Sequence, residues 1–145
     1  MRVLLQRVSS ASVSVQDEVV GEIGAGLVVL LGVGQGDTEA TAAKLADKVT
    51  RLRVFDGEDG RMDRSLLDVA GAALCISQFT LYGDTRRGLR PSFTGAADPP
   101  RGERLYGVFC RELEGRGVPL ATGRFGARMA VALVNEGPVT LLLEG

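Results

Sequence analysis

The chain has 145 residues, is 45% hydrophobic and carries a formal charge of −1, so it can bury a core without disulfide or metal and does not have the strong basic excess of a non-specific nucleic-acid binder. Histidine is absent, which excludes Ser-His-Asp and Cys-His catalysis and most zinc sites. Fifteen of the seventeen basic residues are arginine, the better residue for forked phosphate contacts, so their placement matters more than their sum.

In chain order, residues 2–8 read as a strand, with Val3, Leu5 and Arg7 alternating against Leu4 and Gln6. A second short strand covers 11–16, and Asp17-Glu18 turns into a third near 19–23. The run Gly26–Val33 is continuously apolar and of strand length, which predicts a central strand covered on both faces. Asp37 or Thr38 is placed to cap a helix in which Ala42, Leu45, Ala46, Val49 and Leu52 recur at helical spacing. Asp56-Gly57 and Asp59-Gly60 mark turns. Leu74–Leu81 reads as a second buried strand, running into a polar loop over 83–98. Pro99-Pro100 opens a second helix with Leu105, Val108, Phe109 and Leu113 on one face, ended by Gly115 and Gly117. Two strands, Met129–Val134 and Val139–Leu143, close the chain, joined by Asn135-Glu136-Gly137-Pro138. Roughly eight strands and two well-separated helices predict an α/β single domain over 1–145: mixed β-sheet layers with a β-barrel-like core and two main helices packed on one side.

Cys75 and Cys110 each sit in an apolar stretch and read as small buried hydrophobes, with one disulfide as the alternative. Charge interrupts Met1–Arg7 too early for a secretory leader, and no apolar run reaches the roughly 18–20 residues of a membrane span. A cytoplasmic protein with no membrane partner is expected.

Three segments are candidates for chemistry. Ser77-Gln78-Phe79-Thr80 lies where a buried strand leaves the core for a long loop; strand ends expose backbone N–H groups that can hold an oxyanion, although Ser, Gln and Thr also serve there as plain strand-end polar groups. The loop 83–93 contains Arg86, Arg87 and Arg90 against one Asp, fit for phosphate or for solvent. Asn135–Thr140 carries Pro138 at the start of a returning strand, where it removes a ladder donor. On base rates the Gly137-Pro138 bond is trans, since only ~5–6% of X-Pro bonds in folded proteins are cis.

Ser77–Thr80, followed about fifty-five residues later by Asn-Glu-Gly-Pro-Val-Thr at 135–140, is similar to the paired signature motifs of the D-aminoacyl-tRNA deacylases, formerly called D-tyrosyl-tRNA deacylases. Gln6-Arg7-Val8, Gly21–Leu27, Arg90–Phe93 and Thr122–Gly126 also resemble runs of that family in its order, so the likeness spans the chain. It implies an esterase that clears D-aminoacyl-tRNA, and achiral glycyl-tRNA, without a cofactor or metal. It further implies a homodimer with its active sites at the subunit interface. There a cis Gly137-Pro138 turn reaches into the partner's pocket and excludes L side chains. By the same resemblance Arg7 holds that turn, Phe79 stacks on the terminal adenine, and Phe125 and Met129 lie near the pocket. Many relatives carry Asn where this chain has Asp63.

Thr80 is the obvious nucleophile, but a threonine hydroxyl needs a base, and Lys44 and Lys48 are helical and distant in sequence. The favoured expectation is water attack assisted by the 2′-hydroxyl of the terminal ribose, with backbone N–H groups near Phe79 and Thr80 on the oxyanion, and Gln78 and Thr80 orienting the substrate. Ser77 belongs to the same cradle. The alternatives are another ester hydrolase and a non-catalytic RNA-binding module built on the arginine loop.

Overall fold

In the computed structural model, which describes residues 1–145, β1 (Arg2–Val15) is the spine of the sheet. Its first half pairs antiparallel with β3 (Gly26–Gly32) and its second half with β2 (Glu18–Ile23), so β2 and β3 lie end to end along one edge. The reversal uses Gln16 and Asp17, both at positive φ (51° and 64°), the pair of conformations a two-residue hairpin turn requires. The two strands expected over 2–8 and 11–16 are therefore one. Ser9 and Ser10 are exposed midway along it, which breaks the apolar alternation in sequence without breaking the strand.

The other edge of β1 is taken by β8 (Ala130–Glu144), antiparallel over nearly its full length. This corrects the expectation of two closing strands joined by a hairpin. Both halves of β8 pair with the same neighbour, and the segment between them leaves the ladder and returns to it.

β3 runs parallel to β6 (Ala72–Ser77), and β6 parallel to β7 (Leu120–Thr122). The long connections carry α1 (Glu39–Arg51) and α2 (Pro99–Gly115), as parallel pairs demand. Strand β7 then curls back against β2: a Cβ at Gly21 would stand 2.7 Å from the Thr122 carbonyl oxygen, so glycine lets the two backbones approach. The result is a nearly closed mixed barrel with both helices on one side, as expected. A two-stranded ribbon, β4 (Phe55–Asp56) with β5 (Met62–Arg64), lies apart from it. This ribbon and β7 are too short for periodicity to reveal. Asp63, on β5, sits 3.4 Å from the Arg53 guanidinium.

Alternation along the strands divides the core. Val3, Leu5, Leu27, Val29, Leu31, Ala73 and Cys75 meet α1 and α2, where Leu45, Val49, Leu105, Phe109 and Leu113 are buried. The opposite-facing Val8, Ala11, Val13, Val28, Leu74 and Ile76 fill the barrel. The apolar run at 26–33 is thus covered on both faces, as its composition predicted. Each such side chain contributes roughly 1.5–3 kcal/mol by leaving water.

Thr38, not Asp37, caps α1, in a reciprocal box with Thr41. Asp37 instead takes the Gly34 N–H at 2.6 Å and the amino group of Met1. Pro99-Pro100 opens α2, as read from the sequence, and Asp98 caps it, a cap the sequence reading did not include. Both cysteines are free and buried. No helix is long and apolar enough to cross a membrane.

Candidate functional site

Strand β6 stops at Ser77, and Phe79–Tyr82 forms a 3-10 turn, where a strand to Leu81 was expected. The apolar run continues, but beyond the Gln78 N–H, which donates to the Leu31 carbonyl at 2.8 Å, the chain turns out of the sheet. A 3-10 turn leaves its first N–H groups without acceptors inside the turn, here those of Phe79 and Thr80. The Gln78 side-chain amide donates to the Thr80 hydroxyl, whose oxygen has no other side-chain partner.

Beside this turn opens a pocket of about 540 Å³. Ser77, Gln78 and Phe79 form one wall, Phe125 and Met129 another, and the start of α2, at Pro99 and Gly102, a third. Phe79 is 56% exposed and is propped edge-on by Phe93 at 5.2 Å between ring centres. Behind the pocket, the Tyr106 hydroxyl donates to the Cys75 carbonyl at 2.8 Å, and its ring packs against Phe125. Burial pushes the Tyr106 phenol well above its ordinary range, helped by the two neighbouring thiols. Tyr82, at the end of the turn, is pushed up to about 12, by burial first and then by Asp37, while the Arg2 guanidinium lies 4.7 Å over its ring.

The pocket therefore gathers Ser77, Gln78, Phe79, Phe125 and Met129 from the expected residues. Thr80 stands next to it without lining it. The wall from α2 was not foreseen: Pro99-Pro100 announced a helix start in the sequence, but nothing local said that this helix end would face β6.

Arg7, Gly137 and Pro138 form a separate construction and do not line this pocket. Gln6 pairs with Thr140 and Val8 with Asn135, so residues 136–139 of β8 stand opposite Arg7 alone and protrude from the ladder. Asn135 closes the base of the protrusion: its amide accepts the Val139 N–H at 2.8 Å and donates to the Val139 carbonyl and the Thr140 hydroxyl. Arg7, 8% exposed, braces the side. Its Nε donates to the Glu136 carbonyl and its Nη1 to the Val54 carbonyl, both at 2.9 Å, and to Asp56 at 3.1 Å. Gly137 sits at φ +136°, and a Cβ there would meet the Arg7 guanidinium at 3.1 Å and Val139 at 2.8 Å, so both conformation and space require glycine. The Gly137-Pro138 bond is cis; the base rate had favoured trans and the family resemblance cis.

Comparison with known proteins agrees with this architecture. The profile of the D-Tyr-tRNA(Tyr) deacylase family matches residues 4–144. A D-aminoacyl-tRNA deacylase of Roseiflexus sp. (strain RS-1) is 61% identical over 144 residues, covering 99% of this chain and 93% of that protein. One from Dinoroseobacter shibae is 57% identical over the full length of both. Among solved structures, the c-Myc DNA unwinding element binding protein superposes with a TM-score of 0.95 at 38% identity, covering 100% of this chain and 99% of that one. A probable eukaryotic D-amino acid tRNA deacylase reaches 0.85 at 20% identity, over 98% and 97%, and shares the fold. By a match that runs from β1 to the end of β8, this chain belongs to the D-Tyr-tRNA(Tyr) deacylase family.

Proposed function

We propose that the chain hydrolyses the ester bond of D-aminoacyl-tRNA, releasing tRNA and the free D-amino acid, and that it also clears glycyl-tRNA. The observation that carries this reading is the pocket beside the Phe79–Tyr82 turn. It joins an aromatic platform, an apolar recess for an aminoacyl group and the first backbone N–H groups of a 3-10 turn in one place.

In this scheme the terminal adenine stacks on Phe79, and such stacking is worth roughly 1–3 kcal/mol. Water adds to the ester carbonyl carbon, negative charge develops on the carbonyl oxygen, and the ribose oxygen departs with a proton. The N–H groups of Phe79 and Thr80 are suited to hold that oxygen. The ribose 2′-hydroxyl orients and helps deprotonate the water. The Thr80 hydroxyl has the Gln78 amide as its partner and no base, which favours a positioning role over attack. Ser77 and Gln78 complete the wall against which the ester lies.

Chirality is assigned to the other construction. A protrusion braced by Arg7 and Asn135 is stiff enough to exclude a side chain by contact alone, and the Gly137 carbonyl is the group proposed to do so, in the pocket of a second copy. Two features support a homodimer. The protrusion lies outside its own chain's pocket. Strand β8 pairs only with β1 and carries exposed Val134 and Leu142, an edge that proteins seldom leave open. Such a substrate places the enzyme in the cytoplasm.

The test is a panel of D-tyrosyl-, L-tyrosyl- and glycyl-tRNA with the purified protein. Rapid cleavage of the D and glycyl esters with the L ester spared is expected; equal rates on D and L would defeat the chiral reading, and cleavage of none would defeat the deacylase reading. Sedimentation of the wild type against Leu142→Asp tests the dimer.

A further inference from the structure

The arginines of this chain are unevenly employed. Of fifteen, ten hold an acidic side chain or a backbone carbonyl. The exceptions are Arg87, Arg90, Arg111, Arg124 and Arg128. Arg111 lies well along α2. The other four lie on two segments that reach the pocket, one ending at Phe93 and one running through Phe125 to Met129.

The first pair stands on a finger. Asp84 and Ser92 exchange backbone hydrogen bonds of 2.7 and 3.0 Å, closing the base of the segment between them. Arg86 folds back onto Asp84 through two bonds of 2.9 and 2.7 Å, which holds that carboxyl well below the usual carboxylate range and uses Arg86 as a brace. Arg87 and Arg90 are left exposed without partners. The finger's root reaches the pocket through Phe93, which both lines it and props Phe79.

The second pair stands on the opposite wall. Between Gly123 and Met129, Phe125, Gly126, Ala127 and Met129 line the pocket, while the neighbouring Arg124 and Arg128 are exposed. The acidic residue among the lining groups is Asp98, and one of its oxygens is engaged in capping α2 through the Arg101 N–H. An apolar recess is thus bordered by two segments that carry arginines without a protein partner, in a protein whose net charge is −1.

We propose that Arg87 and Arg90 on one rim, and Arg124 and Arg128 on the other, grip the phosphodiester backbone of the RNA 3′ strand whose terminal ester enters the pocket. The proposal rests on reading the pocket as the site of that ester. Unpaired guanidinium forks match phosphate oxygens in geometry and charge. Backbone contacts fix register without reading sequence, so one enzyme serves tRNAs that share only their 3′ end. Confining the contacts to the mouth also explains how a near-neutral protein handles a polyanion.

The experiment compares D-tyrosyl-tRNA with D-tyrosyl-adenosine, an ester with the same reacting atoms and no phosphate. Wild type is set beside the double variants Arg87→Gln/Arg90→Gln and Arg124→Gln/Arg128→Gln, the quadruple variant, and Arg111→Gln as an unpaired arginine away from the mouth. For the quadruple variant, kcat/KM on the tRNA should fall roughly ten- to thirty-fold at low salt, while the nucleoside ester is cleaved as by wild type. The slope of log kcat/KM against log salt should flatten by about 0.7 for each phosphate contact removed. Arg111→Gln should change neither. Equal losses on both substrates, or an unchanged salt slope, would overturn the proposal. Fluorescence anisotropy with an RNA hairpin that carries no amino acid and ends in a single-stranded 3′ tail separates the two readings. If wild type cleaves neither ester, the pocket reading fails, and weaker hairpin binding by the quadruple variant would still support the arginine collar. Unchanged hairpin binding would end it.

Discussion

The two signature segments are built on opposite principles. Ser77–Tyr82 is a place where regular structure stops: β6 ends and a 3-10 turn begins, whose first N–H groups have no acceptor within the turn. Asn135–Thr140 is a place where regular structure is interrupted and then resumes. It is held at its base by Asn135 and at its flank by Arg7. Unused donors suit a surface that must receive a changing charge. Satisfied ones suit a surface that must not move. The first is expected to govern rate and the second selectivity.

The largest effect should come from the brace. Arg7→Ala removes a buried guanidinium from three acceptors and leaves the Glu136 and Val54 carbonyls short of a donor. Urea unfolding should show a loss of roughly 3 kcal/mol, and the remaining folded enzyme should cleave L-tyrosyl-tRNA at a rate approaching that on the D ester. A stable variant with intact chirality would sever Arg7 from selectivity.

Phe79→Ala tests the other segment. The ring is largely exposed, so stability should change by no more than about 1 kcal/mol, the scale of its edge contact with Phe93. Its kcat/KM on D-tyrosyl-tRNA should drop at least about ten-fold through lost stacking, with D over L preference unchanged. A shift in that preference would show the two segments to be one device.

A smaller change is expected for Thr80→Ala. It should retain deacylation within about ten-fold of wild type, because no base serves the hydroxyl. Abolished activity in a folded variant would return Thr80 to the role of nucleophile.

The mildest test reads the scaffold behind the pocket. The protein has two tyrosines, and burial raises both, Tyr82 to about 12 and Tyr106 further. Free tyrosine ionises near 10. Unfolded chains would therefore lose phenol protons first, and stability present below pH 10 should decline as pH rises toward 12. Phenolate absorbance of the folded protein should stay flat through pH 10 and climb only beyond it. A full step near 10 would mean that the clamp behind the pocket is loose.

Much of this was legible in the residues. The start of α1 at Asp37 or Thr38 follows from capping chemistry, that of α2 from Pro99-Pro100, and the double-faced strand at 26–33 follows from an unbroken apolar run. What misled was local pattern where tertiary pairing decides. The exposed Ser9 and Ser10 looked like a strand break, and Asn135–Pro138 looked like a hairpin turn. Both lie within long strands, because β1 and β8 pair with each other on both sides of each interruption.

By itself, the sequence determined the core-facing periodicity, the caps, the absence of an imidazole and the two motifs, since each depends on residue type and on neighbours a few positions away. Only the tertiary structure decided that the start of α2 completes a pocket with β6, that Arg7 reaches Glu136 across 129 positions, and that two arginine-bearing segments far apart in sequence border one pocket. Those facts depend on where the sheet curls and which edges meet. That is set by the summed packing of the barrel and helices, and no short window of residues contains it.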